Sequence, residues 1–230
     1  MSSGHSGGHG ADGVVDQRAD AVSIAYDRWA ATYDDDANAT RDLDAVVVRR
    51  APLRIASAEV VELGCGTGKN TAWLSREAGR VHAFDFSEGM LARARARVET
   101  ANVSFVVHDI RVPWPLPDRS VDVVVGTLVL EHINDLAPIY AQARRVLREH
   151  GQLFLCELHP FRQLRGGQAH FTDAATGELV HVAAFVHSTS EYVTAALADG
   201  FTLRSLSEWM DAGATDGAVP RLLSMLFESS

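Results

Sequence analysis

A doubly wound α/β sheet is the fold class this sequence predicts, on three observations. Short runs rich in Val, Leu and Phe alternate with helical periods from Glu59 onward. These runs are continuously apolar, the mark of strands buried on both faces in a parallel sheet covered by helices. The first run, EVVELG, opens into a glycine-rich turn at a strand's carboxyl end, where such sheets bind their ligands.

Residues 1–16, rich in Gly, Ser and His, have no periodicity and offer nothing to bury, so they predict a disordered tail. Val22, Tyr26, Trp29 and Tyr33 then recur at spacings of four, three and four, one face of an amphipathic helix. A second helix spans Leu43 to Arg50 and stops before Pro52. Five strands follow within residues 59–158: EVVELG, VHAFDF, VSFVVHD, VDVVVGTL and QLFLCEL. Between them lie helices over Asn70 to Ala78, Glu88 to Glu99 and Leu136 to Arg148, the last with Asp135 as N-cap and Gly151 as stop. Residues 159–187 break the rhythm with a Gly-Gly turn, a hairpin and no clear helix, and read as a cap over the sheet. Ser188 and Glu191 then form a capping box for a helix to Asp199, and FTLRSLSEW and LLSMLFES close a single domain over 17–230.

Composition narrows the function. The 21 basic residues against 30 acidic give a net charge of −9, with no basic stripe of the kind that neutralises phosphates, so no nucleic-acid partner is expected. The longest nearly uncharged apolar run, Val123 to Leu130, is far below the ~18 residues of a membrane span. The polar start MSSGHSGGHG has no signal-peptide core, which predicts a cytoplasmic protein without a membrane partner. His5 and His9 in the tail, and His170, His181 and His187 in the cap, are too dispersed to predict a metal site.

The sharpest chemical signal is Glu62-Leu63-Gly64-Cys65-Gly66-Thr67-Gly68. Glycines there allow a tight turn and let a ligand lie on bare backbone. A dinucleotide site needs GxGxxG, but the third glycine position is Lys69; a P-loop needs Ser or Thr after its lysine, and Asn70 stands there. Asp85 ends the second strand, where a carboxylate accepts both ribose hydroxyls of an adenosine-bearing ligand. Asp109 ends the third strand, within reach of an adenine amino group, and Met90 opens a helix from which it can pack on the ring. A plain helix or turn cap is the alternative role for either aspartate.

Taken together, VVELGCGTG, HAFDFSEGML, VSFVVHDI, VDVVVGTLVLEHI and GQLFL resemble the class I S-adenosylmethionine-dependent methyltransferases. The likeness runs in order from Tyr26 to Trp209, nearest the small-molecule branch that includes the ubiquinone and menaquinone biosynthesis enzymes. It implies a seven-stranded Rossmann-like sheet whose last strand is antiparallel, and a helical lid over residues 17–50. It also implies a cofactor set of Tyr33, Glu62, Gly64, Cys65, Gly66, Gly68, Asp85, Phe86, Met90, Asp109 and Ile110, with Glu62 and the glycine loop at the methionine end. Tyr26 and Tyr33 would share a helical face and close over cofactor and acceptor, or simply pack the lid on the sheet. In that strand order Cys65 and Cys156 stand two strands apart, roughly 9–10 Å, beyond the ~7 Å Cα limit of a disulfide.

The reaction implied is in-line displacement at a sulfonium methyl, where holding the reacting atoms about 3–3.5 Å apart is worth roughly 7–11 kcal/mol. If the acceptor must lose a proton, an imidazole suits the task. His132, after the fourth strand, is the first candidate and His159, after the fifth, the second; Glu131 or Glu157 would orient them, and Tyr26 completes the set. Hydrogen bonding within its loop is the alternative role for His132. The expected acceptor is a small aromatic or heteroaromatic metabolite in a pocket lined by Trp29, Phe161, Phe171, Phe185 and the tyrosines. A cofactor-holding subunit without turnover, and a nucleic-acid methyltransferase, are the competing readings.

Overall fold

The computed structural model describes residues 17–35 and 37–230; the expected disordered tail lies outside them. In chain order the elements are α1 (Gln17–Trp29), α2 (Ala39–Arg50), β1 (Glu59–Leu63), α3 (Thr71–Glu77), β2 (Arg80–Asp85), α4 (Glu88–Arg97), β3 (Val103–Val107) and β4 (Val121–Thr127). Then come α5 (Ala137–Val146), β5 (Leu147–Leu158), α6 (Pro160–Leu164), the hairpin β6 (His170–Thr172) and β7 (Leu179–His181), α7 (Thr189–Ala198), β8 (Phe201–Trp209) and β9 (Leu222–Ser229).

Seven strands form one sheet in the order β3-β2-β1-β4-β5-β9-β8. The first five in that order run parallel, and β9 is antiparallel to both β5 and β8. The chain starts at β1, fills one half outward through β2 and β3, then crosses to β4. That reversal leaves a crevice at the carboxyl ends of β1 and β4.

Strand periodicity sends alternate side chains into two cores. Val61 and Leu63 of β1 and Val124 of β4 join Ile139, Tyr140 and Ala143 of α5 and Tyr192 of α7 on one face. Val60, Val123 and Val125 meet Val47 and Val48 of α2, Leu74 of α3 and Leu91 of α4 on the other. Each such fully buried aliphatic side chain is worth about 1.5–3 kcal/mol, so the two-sided sheet is the main source of stability. A third, smaller core joins α1 to the cap: Val22, Ala25 and Trp29 pack with Phe171 and Val182, and Arg28 pairs with Asp173 at 2.7 Å.

Several boundaries differ from expectation, each for a local reason. Helix α1 ends at Trp29, so Tyr33 lies in the following turn rather than on the same helical face; its ring still comes within 6.3 Å of the Tyr26 ring. Helix α2 starts earlier, at Ala39, because the Asn38 side chain accepts from the Thr40 and Arg41 amides. Helix α5 is shorter than expected and Gly151 lies inside β5. Pairing with β4 jumps from Leu147 to Gln152, and the bulged residues between include His150 at φ +61°. The Asp135 carboxylate accepts from the Ala137 amide at 3.0 Å, although the helix proper begins at Ala137. The cap holds a one-turn helix, α6, that the sequence did not announce.

The capping box on α7 is present, with Ser188 Oγ accepting from the Glu191 amide and Glu191 accepting from the Ser188 amide. Because α7 carries Tyr192 and Ala196 into the core, Ser188→Ala is expected to lower unfolding free energy by about 1 kcal/mol, measured by urea denaturation.

Candidate active site

The crevice at the switch point is a cavity of 680 Å³, walled by the carboxyl ends of β1, β2, β3 and β4 and roofed by α1, α2 and the turn between them. Of the expected cofactor residues, Tyr33, Glu62, Gly64, Cys65, Gly66, Asp85, Phe86, Met90, Asp109 and Ile110 line it. Gly68 does not: it turns the chain at φ +79°, packed against Ala94 of α4. Of the expected catalytic residues, Tyr26 and His132 line the cavity, whereas Glu131 and His159 do not.

Two glycines explain the loop. A Cβ on Gly64 would sit 2.6 Å from Val129 Cγ2, so this residue lets β1 press against the turn after β4. Gly66, at φ +54°, has open space where its Cβ would be, and it lines the cavity; a ligand can rest directly on its backbone. The Gly66 amide donates to Asp85 Oδ2 at 2.8 Å and the Ser87 amide to Asp85 Oδ1 at 2.9 Å, tying the two loops together.

The cavity walls are rich in carboxyl groups removed from water. Burial pushes Glu62 up to about 8, opposed by a 2.5 Å hydrogen bond from Thr71 Oγ1 and reinforced by Asp44 and Asp85. Burial likewise raises Asp85 to about 6, against its two amide donors, and Asp44 to about 6, against a 2.9 Å bond from Asn70 Nδ2. Asp109 behaves oppositely. Burial favours its neutral form, but Arg111 clamps it through Nε and Nη2 at 2.6–3.0 Å and holds it below the ordinary carboxylate range. Burial pushes both cysteine thiols well up, and both are unpaired.

His132 is held by two partners. The Ala183 carbonyl lies 2.8 Å from Nδ1 and Tyr26 Oη lies 2.9 Å from Nε2. A carbonyl can only accept, so Nδ1 carries the hydrogen and, in the neutral ring, Nε2 receives the Tyr26 hydroxyl. Burial raises Tyr26, with Tyr33, Glu131 and Asp85 adding to it, so its phenol keeps its proton. His159 is occupied elsewhere. It caps α6 by accepting from the Phe161 amide through Nδ1 at 3.2 Å, and Nε2 faces Glu208 at 3.1 Å. Glu157, fully buried, accepts from the Val129 and Leu130 amides and so anchors the turn that carries His132.

Of the aromatics expected around an acceptor, Tyr26 and Tyr33 line the cavity, whereas Trp29, Phe161, Phe171 and Phe185 do not. Trp29 and Phe171 stack on each other at 5.1 Å inside the α1–cap core, and Phe161 is 59% exposed. The aromatic lining is Tyr26, Tyr33 and Phe86. Several lining residues escaped the sequence reading: Asp34, Arg41, Asp44, Asn70, Arg97 and Thr127. One signal was available, since Asp44 is a carboxylate on the buried face that α2 forms with Ala45, Val47 and Val48. Arg41, one turn before Asp44, stacks over Tyr33 at 4.0 Å.

Glu62 gives the apo protein a distinctive pH dependence. A carboxyl group whose value rises from 4.5 to about 8 on folding holds its proton more tightly in the folded state, so it makes stability fall as pH climbs through that interval. Glu62→Gln is expected to flatten that decline by about one proton's worth of slope, read from urea midpoints between pH 5 and 8.

Known proteins resemble this chain in sequence and fold. Residues 61–155 match the family model described as "Methyltransferase domain". A probable S-adenosylmethionine-dependent methyltransferase of Mycolicibacterium smegmatis is 39% identical over 46% of this chain and 40% of its own length, so the chain spans less than half of that relative. Demethylmenaquinone methyltransferase of Clavibacter sepedonicus is 29% identical over 87% of this chain and 81% of its own. The DhpI–SAM–HEP complex superposes with a TM-score of 0.70 at 24% identity, covering 92% of this chain and 98% of that one, a likeness of fold. Residues 61–155 thus resemble the methyltransferase domain, within a chain that has the seven-stranded class I methyltransferase fold.

Proposed function

We propose that this protein transfers a methyl group from S-adenosylmethionine to a small, ring-bearing acceptor, with His132 receiving the acceptor's proton. The observation that carries the cofactor reading is Asp85 joined to the bare Gly66 backbone inside the cavity. Each Asp85 oxygen already takes one amide and keeps a lone pair for a ribose hydroxyl. The charge balance fits as well. Among the described residues, seven with carboxyl groups line the cavity (Asp34, Asp35, Asp42, Asp44, Glu62, Asp85, Asp109) against four cations (Arg41, Lys69, Arg97, Arg111), a surplus that suits a ligand bearing a sulfonium and an ammonium. Glu62 would take the ammonium and Arg41 the carboxylate of the methionine end, while Asp109 and Ile110 flank the adenine. When bound, the sulfonium supplies an activated methyl group.

Size limits the acceptor. A cofactor of about 27 non-hydrogen atoms, close-packed, takes up roughly 400 Å³. The rest of the 680 Å³ cavity holds roughly 15–20 further non-hydrogen atoms, the scale of one or two substituted rings. Tyr26, Phe86, Val22 and Ile133 offer it apolar walls. Tyr26 reaches His132 through its hydroxyl, so the acceptor's proton passes to Nε2 directly or by way of the phenol, which hands on its own proton as it gains another.

Asp85→Ala is expected to weaken S-adenosylmethionine binding by roughly 1.5–3 kcal/mol, the worth of hydrogen bonds to a charged group, measured by calorimetry; unchanged affinity would remove Asp85 from the ribose site. Turnover, followed as S-adenosylhomocysteine release with a set of small hydroxylated and aminated rings, is expected to fall 10²–10⁴-fold in His132→Ala. Cofactor affinity should stay unchanged. In His159→Ala, whose imidazole lies outside the cavity, turnover should remain near that of the unaltered protein. Equal losses in both variants would assign the loss to structure rather than to a base, and no S-adenosylhomocysteine release from any acceptor would favour a cofactor-holding subunit.

A further inference from the structure

We propose that Glu131 is a positioning residue for His132, a buried counter-charge set against the imidazole, and that the cap holds it there through Gln163. The inference rests on His132 as the proton acceptor. The Glu131 and His132 side chains are 6% and 7% exposed, with Glu131 Oε1 3.8 Å from His132 Nε2. Glu131 Oε2 accepts from Gln163 Nε2 at 3.1 Å, and the Glu131 carbonyl accepts from the Phe185 amide at 2.6 Å. The Ala183 carbonyl fixes His132 Nδ1. All three of these partners belong to the cap, residues 159–187, so a segment outside the cavity's lining fixes the groups of the base within it.

The chemistry follows from that arrangement. With Nδ1–H given to a carbonyl, Nε2 is the nitrogen that gains a proton, and it is the nitrogen facing Glu131. An imidazolium formed there is compensated by a carboxylate about 4 Å away in a site closed to water. Burial pushes Glu131 upward, while His132 and the Gln163 hydrogen bond draw it back. Other ionisable groups face the pair from every side: Tyr26 on α1, Glu157 on β5, Tyr192 on α7 and, through Tyr26, Asp85 on β2. Burial holds Tyr26, Glu157 and Tyr192 in their neutral forms. Glu131 is therefore the nearest carboxylate that can answer charge on the ring.

The test is histidine titration by NMR on ¹³C-histidine-labelled protein saturated with S-adenosylhomocysteine, the His132 signal being assigned by its loss in His132→Gln. In Glu131→Gln the His132 midpoint is expected to fall by about one pH unit or more, and in Gln163→Leu by part of that amount. Circular dichroism and S-adenosylhomocysteine affinity should stay as in the unaltered protein. The acid limb of kcat/KM should move to lower pH in the same order. A His132 midpoint in Glu131→Gln equal to that of the unaltered protein overturns the proposal. If Glu131→Gln fails to fold, an unshifted midpoint in Gln163→Leu does so instead. The two readings fail separately: turnover retained in His132→Ala removes the base while a shifted midpoint leaves the pairing intact.

Discussion

Asp85 is the constraint on which the site depends. Its carboxylate receives the Gly66 amide from the loop after β1 and the Ser87 amide from the start of α4. Without that acceptor the glycine turn would have no partner across the crevice, and two amide donors would be left unsatisfied inside the protein. The same residue also lines the cavity. Ser87 extends the arrangement outward: its hydroxyl caps Met90 and donates to Asp27 of α1 at 2.5 Å, so the lid closes on the same corner. Sheet, loop, helix and lid thus meet at one buried carboxylate.

Much of this was legible in the sequence, and the reasons are physical. The five parallel strands could be read because each is a continuous apolar run, and β8 and β9 because turn-forming stretches bound them. The glycine loop, Asp85 and Asp109 could be read because strand ends and switch points put ligands in one place. What could not be read was long-range. That Trp29 stacks on Phe171 rather than on an acceptor depends on how α1 meets a hairpin more than a hundred residues away. His132 and His159 occupy equivalent places after adjacent strands. Only the turn of α6 directs His159 toward the Phe161 amide and Glu208, while the turn after β4 directs His132 toward Tyr26. The register slip in β5 was likewise hidden, since residues 147–151 suit a helix end as well as a bulge.

The cavity's electrostatics are set by carboxyl groups that burial keeps from ionising freely. Glu62, Asp44 and Asp85 are drawn out of water and raised by burial, and Glu62 is raised further by its acidic neighbours. Such a cluster is poorly compensated by protein alone: Lys69 pairs with Asp42, Arg97 with Asp34 and Arg111 with Asp109. A ligand that brings positive charge meets groups whose ionisation the folded chain resists. A cation bound there would draw protons off these carboxyl groups, so its apparent affinity would rise with pH as that cost falls away.

The same logic separates the cavity's two ends. Near Glu62 the protein concentrates acids and excludes water, which favours a cation and leaves little role for a general base. Near His132 it supplies one imidazole with a fixed tautomer, a phenol on its reactive nitrogen and a carboxylate behind it. Under the proposed reaction, displacement at a sulfonium calls for a base only when the acceptor must shed a proton, and the orientation of His132 suits such acceptors. Hydroxyls, amines and activated ring carbons meet that description. An acceptor with no proton to lose, such as a tertiary amine or a thioether, would leave the His132 end of the cavity without work.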